Sequence, residues 1–459
     1  MTDIPRLTAL QILAKASKNE AHIEPLLHSH LRSSELQDRD KAFVSELVYS
    51  VTRWRRGLDE IIQGAVSRPI KSIDPPVLNI LRLGLIQMTE MDKVPVSAAV
   101  NESANLARAG AATRPSTGFV NGVLRGLIRK YGIGKRKVSV AHLAESELPK
   151  TAPPHVRLAV KYSFQDWMAK RWITRFGAAK AEEMMRQCQK QAPVFFRLNR
   201  YKETLEEIEA KFPGWSITAE RFPYAEGGYI LKSGKITPES PIFTKGYAQP
   251  QDGASMIAAS LLAPKPKSLV ADVCCGKGIK SGLFAQAMEN KGIVVCMDNS
   301  HFKLTKLKSN MRRQGMKILR SVAADATIQW PVNKKFDAVY IDAPCSGFGL
   351  FRRHPEGKWN KPPQLISEMA AVQWKILQTA GGFLVKGGRL VYSVCSMEIE
   401  EGEEQIDKLL AMDKRFKRVD IKKSRPELSK FLTAKGDILI LPGQDGMDGF
   451  FATELVFVK

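Results

Sequence analysis

The chain has 459 residues, too many for one ordinary hydrophobic core, because single cores stop growing at roughly 250 to 300 residues. Its 44% hydrophobic and 25% charged residues exclude wholesale disorder. Lys and Arg number 70 against 47 Asp and Glu, a surplus of 23 that favours nucleic acid as partner over an anionic membrane or an acidic protein. No apolar run reaches the roughly 18 to 20 residues of a membrane span, and the opening MTDIPRLTAL lacks the basic start and apolar stretch of a signal peptide. A cytoplasmic protein is therefore expected, with no membrane partner and as a monomer. The six cysteines (Cys188, Cys274, Cys275, Cys296, Cys345 and Cys395) form no C-x-x-C pair and no zinc spacing with the seven histidines. Disulfides and a metal site are not expected, so each thiol is core filler or chemistry.

In chain order, residues 4 to 130 carry apolar side chains at i, i+3, i+4 spacing in TALQILAKA, DKAFVSELVYSVTRWRRGLDEII, PPVLNILRLGLIQM, VSAAVNESANLARA and STGFVNGVLRGLIRK. This predicts a helical domain over 1–135. Pro75, Pro76, Pro95 and Pro115 fall between the segments, and Thr117 sits where it could cap the last one. Arg53, Arg55 and Arg56, then Arg125, Arg129 and Lys130, fit solvated helix faces or RNA contacts equally well. Residues 136–155 mix Gly, Pro and charge without periodicity and read as a linker. Over 156–248, helical FQDWMAKRWITRFG and AKAEEMMRQCQKQ give way to the short alternating segments VFFRLNR, GWSITAE and GGYILKSG, which predicts a small α+β domain. Cys188 lies on the second of those helices as a buried small hydrophobe.

From 249 to 459 strands and helices alternate: KSLVADVCC, IKSGLFAQAM, GIVVCMD, FKLTKLKSNMRRQ, FDAVYIDAP, LISEMAAVQWKILQTAGGFL, GRLVYSVCS and EEGEEQIDKLLAM. The pattern predicts an α/β domain around a mostly parallel sheet, with ligands outside the carboxyl ends of the strands. Asp272-Val273-Cys274-Cys275-Gly276-Lys277-Gly278-Ile279-Lys280 ends the first of these strands, where glycines let the backbone turn tightly against a ligand. Asp298 ends the second, placed to accept from ribose hydroxyls, and Asp325 follows the third, placed to receive an adenine amino group. A nicotinamide dinucleotide would fit these acids as well. The fourth strand narrows the choice, because it ends in Asp342-Ala343-Pro344-Cys345-Ser346-Gly347, and the fifth ends in Cys395-Ser396. Neighbouring strands lie about 4.8 Å apart, so both thiols and Asp342 can face one small volume.

A thiolate adding at C6 of cytosine makes C5 an enamine carbon able to take a methyl group from a sulfonium. Ring N3 then needs a group to share its proton, for which Asp342 is suited, and the C5 proton must leave before the thiol does. A second thiol or water could remove it. The bland alternative is that Cys345 and Cys395 only pack.

The motifs DAPCSGFGLFRRHPEGKW, LVYSVCSMEIEEGEEQI, YAQPQDGASM and DGFFATELVF resemble those of the Sun/Fmu (RsmB-like) RNA cytosine-5 methyltransferases. The N-terminal LRLGLIQ, VSAAVNESANLAR and GFVNGVLR are similar to the NusB-like RNA-binding domain of the ribosomal branch. The resemblance covers nearly the whole chain. It implies a Rossmann-like class I methyltransferase domain preceded by a NusB-like and a small α+β domain, ribosomal RNA of the small subunit as substrate, and S-adenosylmethionine as cofactor. It also implies that Cys395 is the nucleophile, that Cys345 assists proton removal and enzyme release, and that Asp342 contacts the base. The cofactor would lie on Cys274, Cys275, Gly276, Lys277, Gly278, Ile279 and Lys280, with Asp298, Asp325 and Asp342.

One departure concerns the first motif, which in the family usually reads C-A-A-P-G-G-K. Here the proline and one of the adjacent glycines are gone, so Lys277 and Ile279 are expected to narrow or re-aim the methionine pocket. A lesser one is Glu356-Gly357 in the basic loop Arg352-Arg353-His354, whose side chains are expected to hold RNA phosphates. His354 has no adjacent carboxylate in the sequence. Two rivals stay open: a DNA cytosine-5 methyltransferase, for which Pro344-Cys345 would carry the nucleophile, and a non-catalytic RNA-binding factor in ribosome assembly.

Overall fold

Among the described residues up to 190, the apolar spacing is satisfied by ten α-helices. In the computed structural model, which describes residues 3–19, 23–109 and 116–458, they are α1 Ile4–Asn19, α2 Ile23–Arg32, α3 Asp38–Gln63, α4 Pro75–Glu90, α5 Val96–Arg108, α6 Thr117–Tyr131, α7 Val140–Ser146, α8 Pro154–Lys161, α9 Asp166–Phe176 and α10 Ala178–Cys188. Pro75 and Pro76 open α4, where the missing N–H costs nothing, and Pro95 precedes α5. Pro115 lies outside the described residues. The position before α6 belongs to Ser116 rather than Thr117, and its side chain makes no capping bond. Leu47, Leu58, Ile80, Leu85, Val120, Leu124 and Leu127 form the centre of one core.

Two features of this helical unit depart from the expectation. Residues 136–155, read as a linker, place Val138, Val140, Leu143 and Ala144 in the same core; a seven-residue helix is too short to show an apolar period. The unit also contains a distant piece of chain, Phe351–Lys361, together with residues 1–190. That piece includes the one-turn helix later numbered α16.

The second unit comprises residues 191–350 and 362–459. Its first part is a four-stranded antiparallel sheet in the order β2-β3-β1-β4, built from β1 Phe195–Leu198, β2 Thr218–Arg221, β3 Gly228–Ser233 and β4 Ala248–Pro250, with α11 Leu205–Glu209 and α12 Pro241–Thr244. Phe196, Leu198, Ile208, Phe212, Ile217 and Tyr229 are its core.

Its second part is an eight-stranded sheet. The strands are β5 Leu269–Val273, β6 Ile293–Asp298, β7 Leu319–Ala323, β8 Phe336–Asp342, β9 Leu384–Val394, β10 Phe416–Arg418, β11 Ile438–Ile440 and β12 Phe450–Phe457. The helices are α13 Gly253–Leu262, α14 Ile279–Ala287, α15 His301–Gln314, α16 Gly357–Asn360, α17 Gln364–Ala380, α18 Glu403–Met412 and α19 Ile421–Ser424, of which α16 belongs to the helical unit. The order is β10-β12-β9-β8-β5-β6-β7, with β11 paired to β12. Strands β5 to β9 run parallel, whereas β10, β11 and β12 pair antiparallel. The chain leaves β5 toward β6 on one side and returns to β8 on the other, so a crevice opens at the carboxyl ends of β5 and β8.

Candidate active site

The glycine loop between β5 and α14 turns tightly, with Gly278 N donating to the Cys275 carbonyl at 3.0 Å. Gly276 and Gly278 have φ of +58° and +75°, a conformation that costs other residues roughly 1 kcal/mol or more. A Cβ on Gly278 would stand 2.7 Å from Leu307 Cγ, whereas one on Gly276 would meet nothing within 4 Å. Cys274 also has positive φ, +59°. Lys277 is exposed and Ile279 is half-buried as the first residue of α14.

The acids then differ in what they already hold. Asp298 accepts from Gly276 N at 2.9 Å and Ser300 N at 2.8 Å, which ties β6 to the glycine loop. Asp325 is exposed, and the Thr327 N–H at 2.8 Å and hydroxyl at 2.7 Å hold its carboxyl below the usual range. Asp272 is fully buried, accepts from Ser281 Oγ at 2.5 Å and leaves Oδ1 unpartnered. Burial pushes its pKa up to about 7. Burial likewise pushes the Cys274 thiol up to about 12, with the charges of Asp342, Asp298 and Asp272 adding to it. Cys275 is raised by its contact with the Cys296 thiol and by burial.

The reacting groups meet at the ends of β8 and β9, where Asp342 stands in register with Ser393. The Sγ atoms of Cys345 and Cys395 are 3.0 Å apart. Asp342 takes the Lys280 ammonium at 2.5 Å on Oδ2 and the Ser393 hydroxyl at 3.3 Å on Oδ1. Burial acts to lower the Lys280 pKa, but Asp342, then Asp272 and Cys395, hold it above its ordinary value. The Cys345 thiol is pushed well up by its hydrogen bond with Cys395, by burial and by the charge of Glu401. All six cysteines are free thiols.

An orphaned buried carboxylate oxygen and an open glycine turn at the end of β5, with an exposed acid just beyond β7, fit a nucleoside cofactor. Comparison with known proteins agrees. A model described as 16S rRNA methyltransferase RsmB/F matches residues 259–456, a NusB family model matches 3–129, and an RsmF/B-like ferredoxin-like domain matches 164–236. The probable ribosomal RNA small subunit methyltransferase B of Bacillus subtilis is 32% identical over 96% of this chain and 96% of its own length. The ribosomal RNA small subunit methyltransferase B of Thermus thermophilus is 31% identical, with 98% and 97% covered. The chain belongs to the RsmB/F family of ribosomal RNA methyltransferases. Two solved structures share the fold: PH0851 (TM-score 0.77, 22% identity, 99% of each chain) and a methyltransferase homologue from Pyrococcus horikoshii (TM-score 0.60, 24% identity, 67% of this chain and 100% of that one).

Within this RsmB/F chain, the three basic residues expected to hold phosphates do not stand alike. Arg352 is buried, 4% exposed, and its carbonyl accepts from Arg53 Nη2 at 3.3 Å. Arg353 and His354 are half-buried. His354 Nδ1 lies 3.6 Å from Glu356, a carboxylate partner two residues along. Arg53 is itself buried and is neither a solvated helix face nor an open phosphate contact. Sequence reasoning missed Glu401, one acid among five in MEIEEGEE, and Arg197. The latter is buried on β1 and donates to Gln251 Oε1 and to Ile279 O, both at 3.2 Å, which braces the start of α14. Neither has a sequence signal beyond its charge.

Proposed function

We propose that this family member methylates C5 of a cytosine in small-subunit ribosomal RNA through a covalent adduct on Cys395. The observation that carries the reading is the 3.0 Å approach of the Cys345 and Cys395 sulfurs beside Asp342 and Lys280. S-adenosylmethionine, the cofactor of the family, supplies the methyl group as a sulfonium electrophile. The loop from Cys274 to Lys280 would hold it, with Asp298, Asp325 and Asp342.

The protein's own residues divide the remaining work. Cys395 forms the bond to C6, and the electrons of the C5–C6 double bond become available at C5. Asp342 shares the proton at ring N3, and the Lys280 ammonium steadies the negative charge of Asp342 and of Cys395. After methyl transfer the C5–H bond breaks, its electron pair restores the double bond and Cys395 leaves. Cys345, whose sulfur lies 3.0 Å from that of Cys395, assists that proton removal. In the basic segment, half-buried Arg353 and His354 are the phosphate candidates, while buried Arg352 is not.

Two variants test the assignment on transcribed small-subunit ribosomal RNA. Cys395→Ala should give neither methylated RNA nor a denaturant-resistant protein–RNA band. Cys345→Ala should accumulate that band when S-adenosylmethionine is present, since attack and methylation proceed and release does not. The reverse pattern would make Cys345 the nucleophile and overturn the reading. Absence of S-adenosylmethionine binding in calorimetry would instead favour a non-catalytic RNA-binding factor.

A further inference from the structure

Both cysteines are followed by serine, and both serines end on the same carboxylate. Glu401 is fully buried just before α18. Its Oε2 accepts from Ser346 Oγ and from Ser396 Oγ, each at 2.5 Å, and its Oε1 accepts from Ser346 N at 2.7 Å and Gln373 Nε2 at 3.1 Å. Gln373 also donates to the carbonyl of Pro344 at 2.8 Å, and the Tyr392 hydroxyl donates to the carbonyl of Glu401 at 2.6 Å. Ser346, Ser396, Gln373 and Tyr392 are themselves buried. One side chain thus ties the loop after β8 to the loop after β9, immediately beside each thiol.

Joining two loops does not in itself require a buried charge. Taking a carboxylate out of water costs several kcal/mol unless its donors are excellent, and apolar packing would join two loops without that cost. Burial holds the Glu401 pKa above its ordinary value, although the four donors oppose it. We propose that Glu401 is a positioning residue for the methyl-transfer chemistry, holding Cys345 and Cys395 at working distance through Ser346 and Ser396. This rests on the reading of the two thiols given above.

The carboxylate has a second effect. Its charge falls on Cys345, while the Lys280 ammonium acts on Cys395. The two sulfurs therefore sit in unlike fields although they touch. An enzyme that needs one thiol to attack and the other to handle a proton requires such an asymmetry, which identical surroundings would not provide.

The test uses the full chain and three readouts. The first is the rate at which diamide, a diazene oxidant, closes a Cys345–Cys395 disulfide: two S–H bonds break, one S–S bond forms and both hydrogens pass to the N=N bond. It needs no RNA and reports thiol spacing. The second is kcat and KM on small-subunit ribosomal RNA. The third is S-adenosylmethionine affinity, as a control for folding. Glu401→Gln should slow disulfide closure at least tenfold and lower kcat at least thirtyfold, with KM and cofactor affinity within twofold. Should Glu401→Gln lose cofactor binding, the double variant Ser346→Ala, Ser396→Ala, which leaves the carboxylate in place, decides by the same criteria. Closure and kcat both within twofold of wild type in a folded variant would overturn the proposal. If Cys395→Ala still methylates but closure depends on Glu401, the adduct reading falls and the positioning role stands.

Discussion

Asp272 shows what the crevice asks of a single residue. Its pKa of about 7 in the folded chain, against 3.8 for the ordinary group, means that the folded state binds the extra proton between those values. Stability contributed by this group is full below about 4 and is lost as pH rises toward 7, by an amount on the order of 4 kcal/mol at most. Asp272→Asn should remove that slope, so its melting temperature should gain on wild type between pH 4.5 and 8; a constant difference across the range would contradict the burial argument. Gly278→Ala should destabilise by about 1 to 3 kcal/mol and weaken S-adenosylmethionine binding, through positive φ and contact with Leu307, as thermal melts and calorimetry would show. At this scale the sequence was informative wherever chemistry forces a residue type. Two thiols and an acid at strand ends, with a glycine turn before them, suit a reaction centre better than a packed core. It was uninformative for Glu401 and Arg197, because burial decides their role and charge alone suggests a solvated surface.

Among the elements, β5, β6, β8 and β9 were legible because each is an apolar run ending in a polar turn, whereas β10 and β11, three residues each, are too short to show one. Residues 136–155 were not, because their buried positions are too few to repeat. Nor was the segment Phe351–Lys361, whose basic letters read as contacts to RNA phosphates. Its Lys358 is fully buried, donates to the Arg53 carbonyl at 2.7 Å and sits 4.6 Å from the Phe164 ring; Trp359 Nε1 donates to the Thr52 carbonyl at 2.7 Å. Burial pushes the Lys358 pKa well down. Lys358→Ala should cost about 2 to 4 kcal/mol in urea unfolding, through a cavity and a carbonyl left without its donor. Lys358→Met keeps the volume and should cost less. Equal losses for both would mean that the hydrogen bond, not the packing, matters.

For the whole molecule, the surplus of 23 positive charges predicts RNA affinity that falls steeply with salt, by about 10³-fold or more from 50 to 200 mM if six or more phosphates are contacted. Titrations at several salt concentrations would show a flat response if charge were incidental. The placement of Phe351–Lys361 also bears on how the chain is made. Phe351 packs against Phe164 and Trp172, with ring centres 5.7 and 6.1 Å away, yet it is synthesised about 160 residues after Lys190. At about 5 to 20 residues per second, the ribosome delivers it roughly 8 to 32 seconds later. During that interval Phe164 and Trp172 lack the Phe351 ring, so a nascent chain halted between residues 190 and 350 should recruit holdase chaperones and be cleaved near α9. One halted far enough beyond 361 for that segment to clear the ribosome should resist.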